Sequence, residues 1–167
     1  INSKMKSIDN INQLNKSDFL SIFGNVFEKT EWIAEKVFEL KPFKDFDDLS
    51  SKILNLYEKS HKENILTILN SHPELVVAKK LTSESKLEQA GANLNECTVE
   101  EFKEFKKLNL EYKNKFGFPF IIAVKGKSKT EILNNFRQRI LNNIESEFEE
   151  AKKQVKKIAT FRLNEII

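Results

Sequence analysis

The chain has 167 residues, of which 40% are hydrophobic and 32% charged, a composition typical of one globular domain with a substantial core and too apolar for disorder. Its 28 basic and 25 acidic residues are mixed along the chain and leave a net charge of +3, so a nucleic-acid-binding face is not predicted. A single cysteine and two separated histidines exclude a disulfide framework and a conventional zinc cluster, and no apolar run is long enough to span a bilayer.

The first ten residues, INSKMKSIDN, are polar and lack the apolar core of a signal peptide. Because the chain begins with Ile1, we expect residues 1–4 to be a non-native remnant and Met5 to be the native start. We assign residues 1–13 to a polar extension and residues 14–167 to a single domain. The C-terminus carries no peroxisomal tripeptide, and together these features favour a reducing, cytoplasmic compartment.

Glycine and proline are scarce, at 4 and 3 residues, which predicts an all-α fold: a single-domain bundle of about seven to nine helices. The first predicted helix is capped by Ser17 and ended by Gly24. The second covers residues 31–40 and is broken by the KPF sequence that follows. Apolar residues at helical spacing predict two further helices, over 46–58 and 61–70.

The sequence SHPEL at 71–75 ends the fourth of these helices and contains one of the two histidines. A proline disfavours helical geometry in the residue before it, so His72 is predicted at a helix end or turn, where catalytic groups are often displayed. The other interpretation is that His72 only stops the helix, and the pentapeptide alone favours that one.

The segment SESKLEQAGA, residues 83–92, places Glu88 three residues after Ser85 and Gln89 directly after it. One interpretation is a capping box, in which Ser85 and Glu88 satisfy each other's backbone donors at a helix start. The other is a functional site beside the backbone N–H groups of that start, which suit an anionic ligand. The two interpretations are compatible.

The next helix is predicted over 98–115, because the sequence TVEE allows a capping box between Thr98 and Glu101. The apolar sequence FGFPFIIAV at 116–124 is interrupted by glycine and proline, and we expect it to be a short extended, buried segment between helices. A second capping box, SKTE at 128–131, opens the following helix.

The last predicted helix, about 145–166, carries a charged residue on its apolar stripe. Arg162 lies seven residues after Val155 and four before Ile166, so its guanidinium is predicted to point inward. A buried guanidinium needs an anionic partner, which either the protein or a ligand can supply. A partly exposed arginine whose stem lies along the apolar surface is the alternative.

Five stretches of the chain carry a resemblance to a known enzyme family. They are FGNVFEKTEWIAEKVF, SHPEL, LTSESKLEQAGA, FKKLNLEYKNKFGFPFIIAVKGKSKTEIL and IATFRL. In wording and order, over about residues 14–166, they resemble the OHCU decarboxylases, which act on 2-oxo-4-hydroxy-4-carboxy-5-ureidoimidazoline in urate breakdown. The chain departs from that family in a shorter loop at 76–83 and in TEW at 30–32, where SPW is usual.

This resemblance implies an all-α, homodimeric, cofactor-free enzyme of purine catabolism that releases CO2 and yields (S)-allantoin. It implies that His72 is the catalytic acid/base and that Glu88 and Arg162 are also catalytic, with no metal site. It further implies a set of substrate contacts, the last five of them through the backbone: Pro73, Ser85, Gln89, Phe118, Pro119, Phe120, Ile121 and Ile122.

The residue types suit such chemistry. Loss of CO2 leaves an electron-rich ring carbon that must be protonated on one face, and a histidine with a pKa near neutrality can relay that proton without a metal. Arg162 can bind a carboxylate bidentately, and Glu88 can orient the ureido N–H groups or crowd the departing carboxylate with like charge. The alternatives are a non-catalytic or degenerate helical binding protein of the same fold, or a lyase acting on a related ureidoimidazoline.

Overall fold

The computed structural model of the chain describes residues 7–76, 83–92 and 94–167, and within these ranges it contains nine helices and no β-strand. The helices are α1 (Ile8–Asn12), α2 (Lys16–Phe23), α3 (Trp32–Phe38), α4 (Phe46–Glu58), α5 (Lys62–Ser71), α6 (Ser83–Gly91), α7 (Val99–Phe116), α8 (Lys129–Arg139) and α9 (Ile144–Ile166). The all-α prediction is confirmed. The predicted remnant at 1–4 and most of the shortened loop, 77–82, lie outside the described residues.

The two capping boxes predicted from the sequence are both present. The Thr98 hydroxyl accepts a hydrogen bond from the Glu101 N–H, and the Glu101 carboxylate accepts one from the Thr98 N–H. Ser128 and Glu131 are paired in the same way at the start of α8. Each box satisfies backbone donors that a helix start otherwise leaves unpaired, so α7 and α8 begin where the sequence predicts.

The predicted N-cap of α2, the first helix predicted from the sequence, is wrong. Asn15, not Ser17, is the N-cap of α2: its side-chain oxygen accepts a hydrogen bond from the Asp18 N–H at 2.8 Å. The backbone of Asn15 is extended, with φ −73° and ψ 169°, which places the side chain over the helix start. Ser17 therefore lies inside the first turn of the helix.

A short helix, α1, lies in the segment that was predicted to be a polar extension. Ser7 caps it by accepting a hydrogen bond from the Asn10 N–H at 3.2 Å. Ile11 is fully buried, so this helix contributes to the core despite its polar sequence.

The chain divides into two compact units, Ile1–Ser71 with Lys156–Ile167, and His72–Val155. Helix α9 contributes its last part to the first unit and its first part to the second. No helix in the described part of the chain is both long enough and apolar enough to cross a membrane.

Aromatic side chains fill the core of each unit. In the first unit, the ring centroid of Phe19 lies 4.8 Å from that of Phe23, and Phe27 stacks on Tyr57 at 4.7 Å. In the second unit, four rings form one cluster, with contacts that run from a 3.9 Å face-to-face stack to edge contacts at 5.9 Å: Tyr112, Phe118, Phe120 and Phe136. This cluster packs residues 118–124, which lie outside any helix, against α7 and α8.

Candidate active site

Ser71, the first residue of SHPEL, ends α5, and residues 72–76 form an irregular turn directly after it, as the proline predicts. The His72 side chain is buried, with 8% of its surface exposed. At the end of the turn, Val76 has a φ of 54°, a left-handed conformation that is strained for a β-branched residue. Such strain persists only where the surrounding contacts fix the backbone.

Two buried amide side chains supply those contacts. Gln89 on α6 accepts a hydrogen bond at Oε1 from the Val76 N–H at 3.3 Å, and its Nε2 donates to the Glu74 carbonyl at 3.5 Å. Asn109 on α7 donates from Nδ2 to the Leu75 carbonyl at 2.8 Å. Three consecutive residues of the turn are therefore held from two helices, directly after the histidine and the proline.

The position of α6 tests the capping-box interpretation of Ser85 and Glu88. The helix begins at Ser83, so Ser85 lies inside the first turn, and the capping-box interpretation is wrong. Residues 85, 88 and 89 are three and four positions apart and lie on one face of the helix. Because Gln89 contacts the histidine turn, this face, with a buried Ser85 and a half-buried Glu88, is the one that α6 directs towards that turn.

The segment predicted at 116–124 begins two residues later, because Phe116 is the last residue of α7 and Gly117 is its exposed C-cap; residues 118–124 form no helix and are all buried, as predicted. The side chains of Phe118 and Phe120 belong to the aromatic cluster around Tyr112. A ligand at this segment would therefore meet peptide groups rather than aromatic rings.

Two side chains hold the backbone of this segment. Arg139 on α8 donates from Nη1 to the Ile121 carbonyl at 2.6 Å. Gln154 on α9 accepts at Oε1 from the Ala123 N–H at 2.9 Å. Both side chains are buried, so these bonds are shielded from water.

Arg139 is also part of a buried ion pair. The carboxylate of Glu147, which is fully buried, accepts hydrogen bonds from Arg139 Nε and Nη2 at 3.1 and 2.9 Å, from Asn142 Nδ2 at 3.0 Å, and from the Tyr112 hydroxyl. Burial raises the pKa of Tyr112, and the hydrogen bond to Glu147 raises it further, so the hydroxyl stays protonated and acts as a donor. Among the described residues, no group of three or more His, Cys, Asp or Glu side chains could hold a metal ion.

Helix α7 connects the two parts of this candidate site. Asn109 holds the histidine turn, and Tyr112, three residues later, joins the network that holds Ile121. Residues three apart on a helix are neighbours on its surface. One turn of α7 therefore links the backbone near the histidine to the backbone of 118–124.

Arg162 points inward, as its place on the apolar stripe predicts, with 7% of its surface exposed. Its anionic partner is a protein carboxylate: Nη2 lies 2.9 Å from Oε2 of Glu28, and Nη1 donates to the Asn25 carbonyl at 3.1 Å. Glu28 lies in the loop between α2 and α3 and is 1% exposed. This ion pair belongs to the first unit, whereas the histidine turn belongs to the second.

Four buried polar residues of the second unit were not predicted as functional candidates: Asn109, Arg139, Glu147 and Gln154. A signal for one of them is present in the sequence. Arg139 lies three residues after Phe136 and therefore on the apolar stripe of its helix, which is the same pattern that identified Arg162.

The family model for OHCU decarboxylase matches residues 12–164, a range that contains every residue of the predicted site. The chain belongs to the OHCU decarboxylase family. Within this family, a 2-oxo-4-hydroxy-4-carboxy-5-ureidoimidazoline decarboxylase of Halalkalicoccus jeotgali is 34% identical over 160 residues, which cover 96% of this chain and 91% of that protein.

Two longer proteins are similar to this OHCU decarboxylase-family chain. A uric acid degradation bifunctional protein of Bacillus sp. (strain TB-90) is 39% identical over 162 residues, which cover 97% of this chain but 32% of that protein. The chain thus spans about a third of that relative's length. The crystal structure of an (S)-allantoin synthase matches with a TM-score of 0.76 and 26% identity, covering 96% of this chain and 54% of the other.

Proposed function

We propose that this chain catalyses the decarboxylation of 2-oxo-4-hydroxy-4-carboxy-5-ureidoimidazoline to (S)-allantoin, a step of urate breakdown. The observation that carries the proposal is the family match over residues 12–164. It is supported by the Halalkalicoccus jeotgali protein, which is named as a decarboxylase of this compound and aligns over 91% of its own length. The buried histidine in a turn held by two helices supports it independently.

In this reaction the bond between the ring carbon and the carboxylate breaks, CO2 leaves, and the bonding electron pair stays on the ring. A proton must then reach the ring, and it must come from one face if the product is a single enantiomer. His72 is the proposed proton carrier, because a histidine titrates near neutrality and this one is buried in a fixed turn.

Arg162 and Glu88 are the proposed charged contacts of the substrate. A guanidinium presents five donors in one plane, so pairing with Glu28 is compatible with binding a substrate carboxylate as well. Glu88 would orient the ureido N–H groups or place like charge beside the departing carboxylate.

The remaining proposed contacts are neutral. Pro73, Ser85 and Gln89 would line the substrate site. The peptide groups of residues 118–122 would bind the ring and ureido amides, since the side chains of that segment are packed into the core.

The direct test generates the substrate freshly from urate with the two upstream enzymes and follows its loss by ultraviolet absorbance and circular dichroism. We expect decay faster than the spontaneous rate, a product signal of one enantiomer, and no change on adding a chelator. His72→Asn at the same concentration is the control. Decay at the spontaneous rate would favour a non-catalytic binding protein, and turnover of a related compound alone would favour a different lyase. Sensitivity to the chelator would contradict cofactor-free chemistry.

We also propose that the protein is a homodimer, as the resemblance to the family implies, and that it works in the cytoplasm, which its single cysteine favours. Light scattering on a size-exclusion peak should give twice the 19.5 kDa mass of the chain. A peak of monomer mass at micromolar concentration would contradict the dimer, and recovery in a membrane or organelle fraction would contradict the location.

A further inference from the structure

The buried peptide groups of residues 118–124 need hydrogen-bond partners that no helix or sheet supplies. Outside a helix or sheet, these peptide groups have no regular hydrogen-bonding pattern, and a buried peptide group without a partner is costly. Two of these groups, the Ile121 carbonyl and the Ala123 N–H, are bonded to side chains. Those side chains come from different helices, α8 and α9, so the segment is held at two points two residues apart.

Arg139 is well suited to fix one of these points. Its guanidinium is planar, and while Nη1 bonds the Ile121 carbonyl, Nε and Nη2 bond Glu147. Its guanidinium carbon also lies 4.4 Å from the ring centroid of Phe120, the residue before Ile121. The same side chain therefore sets the direction of one carbonyl and the position of the neighbouring ring.

The ion pair between Arg139 and Glu147 is not explained by stability alone. Replacing a buried ion pair with apolar residues of similar volume is often neutral or stabilising, because burying two charges costs as much as their attraction returns. Here Glu147 is fully buried and is bonded by Tyr112 and Asn142 as well, so the carboxylate is held in one orientation. That orientation in turn fixes the guanidinium.

Gln154 fixes the second point. Its Nε2 donates to Oε2 of Glu150, one turn earlier on α9, at 2.7 Å. This bond orients the amide so that Oε1, an acceptor, faces the Ala123 N–H.

We propose that Arg139 and Gln154 are positioning residues of the decarboxylation: by holding Ile121 and Ala123, they keep the peptide groups of 118–122 in the geometry that binds the substrate. This rests on the proposed function, since it takes those peptide groups as the substrate contacts. Neither residue needs to touch the substrate: each acts through the backbone it holds. A displacement of about 1 Å in a binding group can cost on the order of a hundredfold in rate.

The first test removes both charges of the ion pair at once. Arg139→Met/Glu147→Leu leaves neither charge behind, but the Ile121 carbonyl and the Tyr112 hydroxyl each lose a hydrogen bond, so we expect a folded variant with a moderately lower melting temperature. We expect kcat/KM to fall by about tenfold to a hundredfold and the dissociation constant for (S)-allantoin to rise at least several-fold. Arg137→Met/Glu104→Leu is the matched control, because this arginine–glutamate pair also joins two helices, α8 and α7, but is largely exposed and has no hydrogen bond to the segment.

The second test separates positioning from packing at Gln154. Gln154→Glu/Glu150→Gln keeps an acceptor for the Ala123 N–H and a hydrogen bond between the two side chains, whereas Gln154→Met/Glu150→Gln keeps the bulk at 154 without the acceptor. We expect the Glu variant to bind (S)-allantoin more tightly and to turn over faster than the Met variant. The pH profile of kcat should be the same as in the parent, since neither variant alters the proposed proton carrier.

The outcomes distinguish this inference from the proposed function. A parent protein that neither turns over the substrate nor binds (S)-allantoin would contradict the proposed function itself. An active parent, together with a folded Arg139→Met/Glu147→Leu variant of the same kcat/KM and product affinity, would overturn the positioning role. Equal affinity for (S)-allantoin in the Glu and Met variants of Gln154 would overturn it as well.

Discussion

Replacing Arg162 with methionine separates a structural role of this side chain from a catalytic one. The carboxylate of Glu28 lies 2.9 Å from Nη2 and is 1% exposed, so Arg162→Met leaves a buried charge without this ion pair. Removing one partner of a buried pair costs roughly 3–5 kcal/mol of unfolding free energy. For a chain of this size, that corresponds to a fall in melting temperature of roughly 6–20 °C.

The double variant Arg162→Met/Glu28→Met removes both charges of the pair and should recover most of the lost stability, since an apolar pair of similar volume replaces the ions. Arg162→Lys keeps the charge but not the planar fork that bonds both Glu28 and the Asn25 carbonyl. We therefore expect the lysine variant to be folded and catalytically poor.

Thermal melts and turnover are measured on the same preparations of the parent and of these three variants. If Arg162 also binds the substrate carboxylate, the double variant is stable and inactive. A double variant as stable and as active as the parent would refute the catalytic assignment and leave Arg162 in the scaffold. A single methionine variant with the melting temperature of the parent would refute the argument about the ion pair.

Further substitutions test the other candidates. His72→Asn should lower turnover by about 10²–10⁴-fold while leaving the helical fold intact, which circular dichroism checks, and a normally active variant would make this residue a helix stop only. Glu88→Gln should leave stability unchanged and lower turnover by about a hundredfold or more, measured on the fresh substrate, and parental activity would remove the carboxylate from the mechanism. Asn109→Ala should lower the free energy of unfolding by about 1–3 kcal/mol in denaturant titrations, because the buried Leu75 carbonyl loses its donor. It should lower kcat/KM as well, and an unchanged value of either quantity would contradict the role of Asn109 in holding the histidine turn. The hydrogen bonds from Arg137 hold the pKa of Glu104 below its usual 4.5, so their contribution to stability is present above that pH and is lost as the pH falls through the lowered pKa. The difference in unfolding free energy between Arg137→Met and the parent should therefore vanish in strong acid, and a difference that persists there would contradict the assignment.

Helix boundaries could be predicted where the deciding contact is local. The boxes at Thr98 and Ser128 join residues three apart, so the sequence contains both partners. Asn15 and Ser17 are both good caps two residues apart, and the choice depends on which backbone is extended, which the sequence does not specify. The α1 helix was missed because its five residues are held by the burial of Ile11, a tertiary contact.

The same distinction applies to the candidate site. His72 and Arg162 could be identified because each is a chemically distinctive residue at a position that its neighbours define. Their hydrogen-bonding partners, and those of the histidine turn, could not be identified from the sequence. Glu28 is 134 residues from Arg162, and Asn109 bonds a backbone carbonyl 34 residues away. Since every residue offers the same carbonyl, a side chain that bonds a backbone leaves no pattern in the sequence.

The packing of residues 118–124 bears on how this protein can evolve. Because the aromatic side chains of the segment are turned into the core, a surface formed by its peptide groups has no side chains of its own to substitute. Selection for a different ligand would have to act through buried positions that set the path of the main chain, such as Phe136, which stacks on Phe120 at 3.9 Å. Most single substitutions there would damage folding before they altered recognition. Under the proposed function, ligand preference at this segment would thereby be protected from gradual drift by the same residues that keep the domain folded.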